Sequence, residues 1–240
     1  MSEAYETLLV TREPGGLVFC TLNRPQALNA MSPKLIDELH AFLDALHDDT
    51  DARLVILRGA GRGFCSGLDL REQTGGGATV RPSVSASLRG QHKIAELVIK
   101  MRRVPQPFIA LVHGAAAGGG FALVLASDIR IAGESARMNA AFIRIGLGAC
   151  DIGSSYFLPR IVGSSVASEL LLTGNFIEAP RALQTGLVSR VVPDAELERA
   201  GREMAEAILR NSPVGVRLTK DCLNWSVDAP TLEAAIAMED

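Results

Sequence analysis

The sequence predicts an α/β fold that gives way to helices near its C-terminal end. Short apolar runs of strand composition alternate with amphipathic helical stretches up to about residue 192, the pattern of α/β units. From Pro193 onward strand signals are few, and Asp194–Arg210, Pro213–Trp225 and Ala229–Asp240 all read as helices. Composition agrees with a packed protein: 48% apolar and 21% charged residues lie close to globular averages and exclude wholesale disorder. We therefore expect a core over residues 1–192 and a helical region over residues 193–240. With 240 residues and a formal net charge of −3, the chain suits one domain plus an appendage. That charge also argues against a surface built for nucleic-acid phosphate or anionic lipid.

The elements follow in order. Leu8–Thr11 and Leu17–Leu22 are β-rich and joined by Glu13-Pro14-Gly15-Gly16, a hairpin signal. Ser32-Pro33 offers an N-cap and an N1 proline, after which Leu35, Leu39, Phe42, Leu43 and Leu46 trace one helical face. Leu54–Leu57 is a buried strand. Gln73–Ser87, rich in Gly, Ser, Thr and Pro, is expected to be a mobile surface loop. A helix carrying Ile94, Leu97, Val98 and Met101 follows, then the strand Phe108–Val112, the helix Gly119–Ala126 and the strand Ile129–Ala132. The uncharged stretch Gln106–Ser127 is long enough for a bilayer, but His113 and the Gly118–Gly120 triplet favour strand, turn and buried helix instead. Cys20, Cys65, Cys150 and Cys222 are widely spaced without a C-x-x-C pair, and the N-terminus lacks an apolar leader. Reduced thiols in a cytoplasmic protein are expected.

Glycine is the anomaly. The 23 glycines are bunched, at positions 59, 61, 63 and 67, at 75–77, at 114 and 118–120, and at 146, 148 and 153. Such clusters serve where backbone must approach something closely or adopt positive φ. After Leu54–Arg58 the glycines do not fit G-x-G-x-x-G, and no Gly-Lys-Ser/Thr occurs, so dinucleotide and P-loop readings fail. A turn that merely lets strands pack is the plain alternative. In His113-Gly114-Ala115-Ala116-Ala117-Gly118-Gly119-Gly120, a strand runs through a small-residue turn into an apolar helix. The free N–H groups of that first turn are donors that bare glycine leaves open to a ligand oxygen, as in an oxyanion hole. A helix start packed closely on a strand, with nothing bound, is the alternative.

Several segments together resemble the crotonase family of enoyl-CoA hydratases, isomerases and their relatives. They are Asn23-Arg24-Pro25-Gln26-Ala27-Leu28-Asn29-Ala30, Gly63-Phe64-Cys65-Ser66-Gly67-Leu68-Asp69-Leu70 and His113–Gly120. Asp128-Ile129-Arg130-Ile131-Ala132, Leu158–Gly163 and Ala182–Val188 add to them, in the right order over nearly the whole chain. The resemblance implies a crotonase-type spiral of repeated ββα units with a C-terminal helical trimerisation region, assembled as a homotrimer or hexamer. Family members continue beyond where this chain stops, so a C-terminal helix bordering the acyl pocket is expected to be missing.

The resemblance further implies an acyl-CoA thioester substrate whose enolate is held by two backbone N–H groups, here those of Leu68 and Gly119. Coenzyme A arrives as part of the substrate, and neither a further cofactor nor a metal is implied. CoA-binding positions map to Arg24, Ala27, Ser66, Leu70 and Arg71. Arg24 and Arg71 are candidates for the CoA phosphates or for solvated surface roles, and Asp69 for a structural carboxylate accepting backbone N–H groups. The two glutamates of the hydratase pattern fall at Ala122 and near Phe142–Gly146, where no carboxylate stands. Isomerase-type members are similar in carrying an acid at Asp151, as is a dehalogenase branch that uses it as nucleophile. One carboxylate suffices for a 1,3-proton shift. Asp151 before Gly153-Ser154-Ser155 also suits a helix N-cap, so both roles stay open. His113 is a weaker candidate base, and Cys65 and Cys150 lack a histidine partner by spacing. A non-catalytic member that binds acyl-CoA or a protein partner is the competing expectation.

Overall fold

The computed structural model describes residues 5–73 and 83–239. Strands β1 (Leu8–Glu13) and β2 (Leu17–Leu22) form the expected hairpin, paired antiparallel from Leu8 opposite Leu22 to Glu13 opposite Leu17. Helix α1 (Pro33–His47) follows, its N-terminus capped by Ser32 Oγ, which accepts from Leu35 N at 3.1 Å. Strand β3 (Leu54–Gly59), the short helix α2 (Leu70–Gln73), the long helix α3 (Val84–Arg103) and strand β4 (Phe108–Val112) come next. Strand β5 (Ala115–Ala117), helix α4 (Gly119–Ala126), and strands β6 (Ile129–Gly133) and β7 (Arg137–Asn139) complete the middle of the chain. Helices α5 (Ser154–Val162) and α6 (Ser164–Thr173), the two-residue strand β8 (Ile177–Glu178), helix α7 (Ala179–Gln184) and strand β9 (Arg190–Val192) lead to the last three helices. These are α8 (Leu197–Leu209), α9 (Pro213–Ser226) and α10 (Leu232–Glu239).

Six strands form one sheet in the order β1-β2-β3-β4-β6-β9, parallel except at the hairpin. Because side chains alternate along a strand, each inner strand feeds two cores. Val18, Cys20, Val55, Leu57, Ala110 and Val112 face α1, α3 and α4, whereas Leu17, Phe19, Leu54, Ile56, Ile109, Leu111 and Ile131 face α8. Near-continuous apolar composition in these strands is what burial on both faces requires. β5, β7 and β8 make a second, smaller sheet.

Two expectations are corrected. Residues 84–87, expected in a loop, open α3, because Ser85 and Ala86 carry no helix breaker and continue the turn that Ile94–Met101 anchor; Gln73 closes α2, and residues 74–82 lie outside those described. Ala115–Ala117, expected as a turn, is strand β5, because Cys65 N donates to Ala115 O and Ala117 N to Cys65 O, at 3.0 and 2.9 Å. Helix α8 falls in the 193–240 stretch by sequence, yet Leu197, Ala200 and Ala205 complete the core beneath the sheet.

Candidate active site

The site is built where two glycine-rich loops meet. Gly67 takes φ +95° and Gly118 φ +50°, backbone that favours glycine. Contact is close enough that a Cβ on Gly120 would stand 2.4 Å from Cys65 O, and one on Gly67 only 3.6 Å from Gly119 N. A short parallel bridge fixes the first loop: Met31 N donates to Gly67 O at 2.8 Å and Asp69 N to Met31 O at 3.1 Å. That pattern leaves the Leu68 N–H unused. Gly119, first residue of α4, has its N–H ahead of any intrahelical acceptor. Among the described residues neither N–H has a hydrogen-bond acceptor. The structure thus places Leu68 and Gly119, the two positions expected from the sequence, on adjoining loops.

Hydrocarbon surrounds them. The place a Gly119 Cβ would take is bordered by Met31 Sδ, Ile152 Cδ1 and Leu68 Cδ2, and Phe142 Cε1 lies 3.5 Å from that of Gly118. Ala122 is fully buried in α4. Two carboxylates stand on the flanking loops. Asp69 Oδ2 pairs with Arg24 Nη1 at 2.9 Å, and its Oδ1 accepts from Glu72 N at 3.3 Å. Burial opposes ionisation there, but Arg24 and the backbone N–H groups of Glu72 and Arg71 hold the carboxyl below the ordinary range. The structural role expected of Asp69 therefore includes an arginine that the sequence did not reveal.

Asp151 behaves oppositely. It is half-buried, and burial pushes its carboxyl above the ordinary range, only partly offset by the N–H of Ile152. That N–H reaches Asp151 Oδ1 at 2.8 Å, and Ile152 itself adopts φ +47°, a costly conformation for a β-branched residue. Asp151 is not the side-chain cap of α5: the cap position is Gly153, which offers none, and only the Asp151 main-chain carbonyl accepts from Ser154 N. Gln91 Nε2 on α3 also donates to Asp151 Oδ1, a partner the sequence reading missed.

The remaining candidates fall around the Leu68 loop. Ala27 lies in a 3-10 turn, Pro25–Ala27, and Ser66 N donates to Leu28 O at 3.0 Å, so the Arg24–Ala27 and Ser66–Arg71 segments adjoin. Leu70 and Arg71 are exposed. Arg24 is not a solvated surface arginine: its side chain is 11% exposed and engaged by Asp69, by Glu72 at 2.6 Å and by Ala30 O at 2.5 Å. His113 is pinned, its Nε2 2.8 Å from Gly61 O. Cys65 is buried and its thiol pushed up to about 12 by desolvation, while Cys150 is exposed. A cleft of about 570 Å³ between α3, α5 and α9 is lined by Val98, Arg130 and Phe157 but by none of Leu68, Gly119 or Asp151. No group of three or more metal-ligating side chains occurs among the described residues.

The profile of the enoyl-CoA hydratase/isomerase family matches residues 12–240. The chain belongs to this family. A protein of Mycobacterium bovis named a probable enoyl-CoA hydratase is 42% identical over 225 residues, covering 91% of this chain and 77% of its own length. The crystal structure of an enoyl-CoA hydratase from Bacillus anthracis superposes with a TM-score of 0.91 at 34% identity, over 98% of this chain and 88% of that one. A monofunctional enoyl-CoA isomerase from Mycobacterium smegmatis reaches a TM-score of 0.80 at 39% identity, over 96% and 98% of the two chains. The architecture is accordingly the crotonase-type α/β fold of repeated ββα units with a helical C-terminal region. Within this scaffold, Leu68 and Gly119 lie where the two glycine-rich loops touch.

Proposed function

We propose that this chain is an enoyl-CoA isomerase that moves a double bond along an acyl-CoA thioester. The observation that carries the proposal is Asp151: a half-buried carboxylate released from capping, with a raised pKa, on the loop that packs Ile152 against Gly119. The thioester oxygen sits between the N–H groups of Leu68 and Gly119, where negative charge develops. Asp151 takes a proton from the α-carbon. The C–H electron pair enters a dienolate held at those donors, and the same proton goes to the γ-carbon as the thioester carbonyl re-forms. Electrons and protons balance without a further reactant. Hydration would need groups to activate water, and Ala122 and Phe142 supply none. Similarity to a solved monofunctional isomerase supports the assignment.

Ala27, Ser66, Leu70 and Arg71 form the edge for coenzyme A. Arg24 acts there by tying the Asp69–Glu72 turn to the N-terminal segment. We further propose assembly as a trimer or a pair of trimers through α9 and α10, whose Trp225 and Leu232 are 61% and 71% exposed. Purified protein offered a 3-enoyl-CoA should yield the 2-enoyl isomer, and crotonyl-CoA should be hydrated at most weakly. Asp151→Asn should lower isomerase kcat by about 10³-fold, within the ~10²–10⁴ typical of a general acid–base group. Binding of acetoacetyl-CoA should persist. Full activity in that variant would overturn the role of Asp151, and inertness of the parent toward every thioester would favour a binding module.

A further inference from the structure

We infer that Gln91 is a positioning residue that anchors Asp151 through Oδ1, leaving Oδ2 as the one oxygen that carries the proton. This rests on the isomerase reading. Three facts lead to it. Oδ1 receives two donors, the N–H of Ile152 at 2.8 Å and Nε2 of Gln91, from opposite ends of a 60-residue separation. Oδ2 accepts no hydrogen bond from any described residue. Ile152, next to Asp151, is held in left-handed backbone, which the fold maintains at a cost.

The asymmetry has chemical consequences. A carboxylate oxygen that accepts two N–H donors stays an acceptor whether its partner oxygen is bare or protonated. The anchor therefore survives both halves of the reaction. A group that neither rotates nor releases its proton to water returns it to the face it came from. Proton removal breaks the Cα–H bond and forms Oδ2–H; delivery breaks Oδ2–H and forms Cγ–H. The carboxylate ends as it began.

Gln91 also supplies the neutral donor that favours the charged form against burial. Of the charged groups on the elements around Asp151, Lys93 pairs with Asp37 and Glu96 with Arg103 on α3, Arg160 with Asp228 on α5, and Arg144 with Asn175, while Arg89 and His92 on α3 are exposed. Cys150, the neighbouring residue, is exposed.

The test uses the full chain, a 3-enoyl-CoA deuterated at the α-carbon, and two variants. In the parent, deuterium should appear at the γ-carbon of the product. Gln91→Met removes the donor at nearly constant size: kcat should fall about tenfold with KM within twofold. The acid limb of the kcat/KM profile should move to higher pH, and less label should be retained. Gln91→Lys restores a donor and adds positive charge, so the limb should move to lower pH. Opposite shifts are not what a merely structural role gives, and the Lys variant alone decides if the Met variant fails to fold. Parent-like kcat, limb and label retention in Gln91→Met, or limbs shifting the same way in both, would overturn the inference. Asp151→Asn run alongside separates the failures. An active Asn variant refutes Asp151 as the proton carrier, a parent inert toward the 3-enoyl-CoA refutes the isomerase reading itself, and an inactive Asn variant with a parent-like Met variant refutes only Gln91.

Discussion

Asp69 and Asp151 lie on the two loops that bracket the free N–H donors, and their surroundings drive them apart. Arg24 keeps the first ionised, and burial makes the second harder to ionise. Two carboxyls pushed in opposite directions is the pattern by which neighbouring groups take different tasks, and it supports the proton-transferring role proposed for Asp151. Residue chemistry also sets a limit at alkaline pH. Cys20 and Cys65 are fully buried, and desolvation pushes both thiols up to about 12 from an unfolded value near 9. Their contribution to stability is whole below about pH 9, where both states hold the proton. It is lost as pH rises toward 12, because the unfolded chain ionises first. Each thiol should add about 1.4 kcal/mol per pH unit to the downward slope. Cys20→Ala should remove its share, measured by urea unfolding between pH 9 and 11; an unchanged slope would show that Cys20 ionises in the folded protein.

At the level of elements, α9 is fastened by charge rather than by a broad apolar face. Lys220 is buried and donates to Met101 O at 2.9 Å and Gln106 O at 2.8 Å, with Asp128 Oδ2 at 3.3 Å. Asp128 also pairs with Arg102 at 2.8 Å and accepts from Phe108 N at 2.8 Å, so one carboxylate joins α3, β4 and α9. Burial pulls the Lys220 ammonium below its ordinary value, and Asp128 opposes that. Asp128→Ala should cost about 3 kcal/mol, the low end for breaking a buried ion pair because Asp128 is partly exposed. Loss of helix α9 before the sheet, followed by hydrogen exchange, would locate the effect. Elements were legible where periodicity was long. Ser32-Pro33 and the Leu35–Leu46 stripe specify α1. β5, β7 and β8 were not, since strands of two or three residues hold too few side chains to show alternation. The donors at Leu68 and Gly119 were reached from glycine bunching and family motifs. Gln91 was invisible because its contact with Asp151 spans 60 residues and amides on helix faces are commonplace.

Over the whole molecule, buried positions are mostly apolar on both sides of the main sheet, while α9 and α10 leave large apolar side chains in the open. Val214, Leu223, Trp225 and Leu232 are each at least 60% exposed. Paired Trp225→Asp and Leu232→Asp replacements should reduce the mass seen by light scattering from three or six chains to one, with the fold retained by circular dichroism. An unchanged mass would move the interface elsewhere.

The main sheet has one further property. Its spatial order, β1-β2-β3-β4-β6-β9, never reverses the order of synthesis. As the chain leaves the ribosome, each new strand meets an edge already laid down by its predecessor, and none must wait for a later segment to wedge in between. Parallel pairing is slow because distant segments must find one another, and an accreting edge shortens that search to one strand at a time. The growing edge at any moment is a single strand, β4 after residue 112 and β6 after residue 133, so nascent chains halted between Gly133 and Arg190 carry an unsealed margin opposite β1. Stalled chains in that window are the ones expected to aggregate, and emergence of β9 closes it.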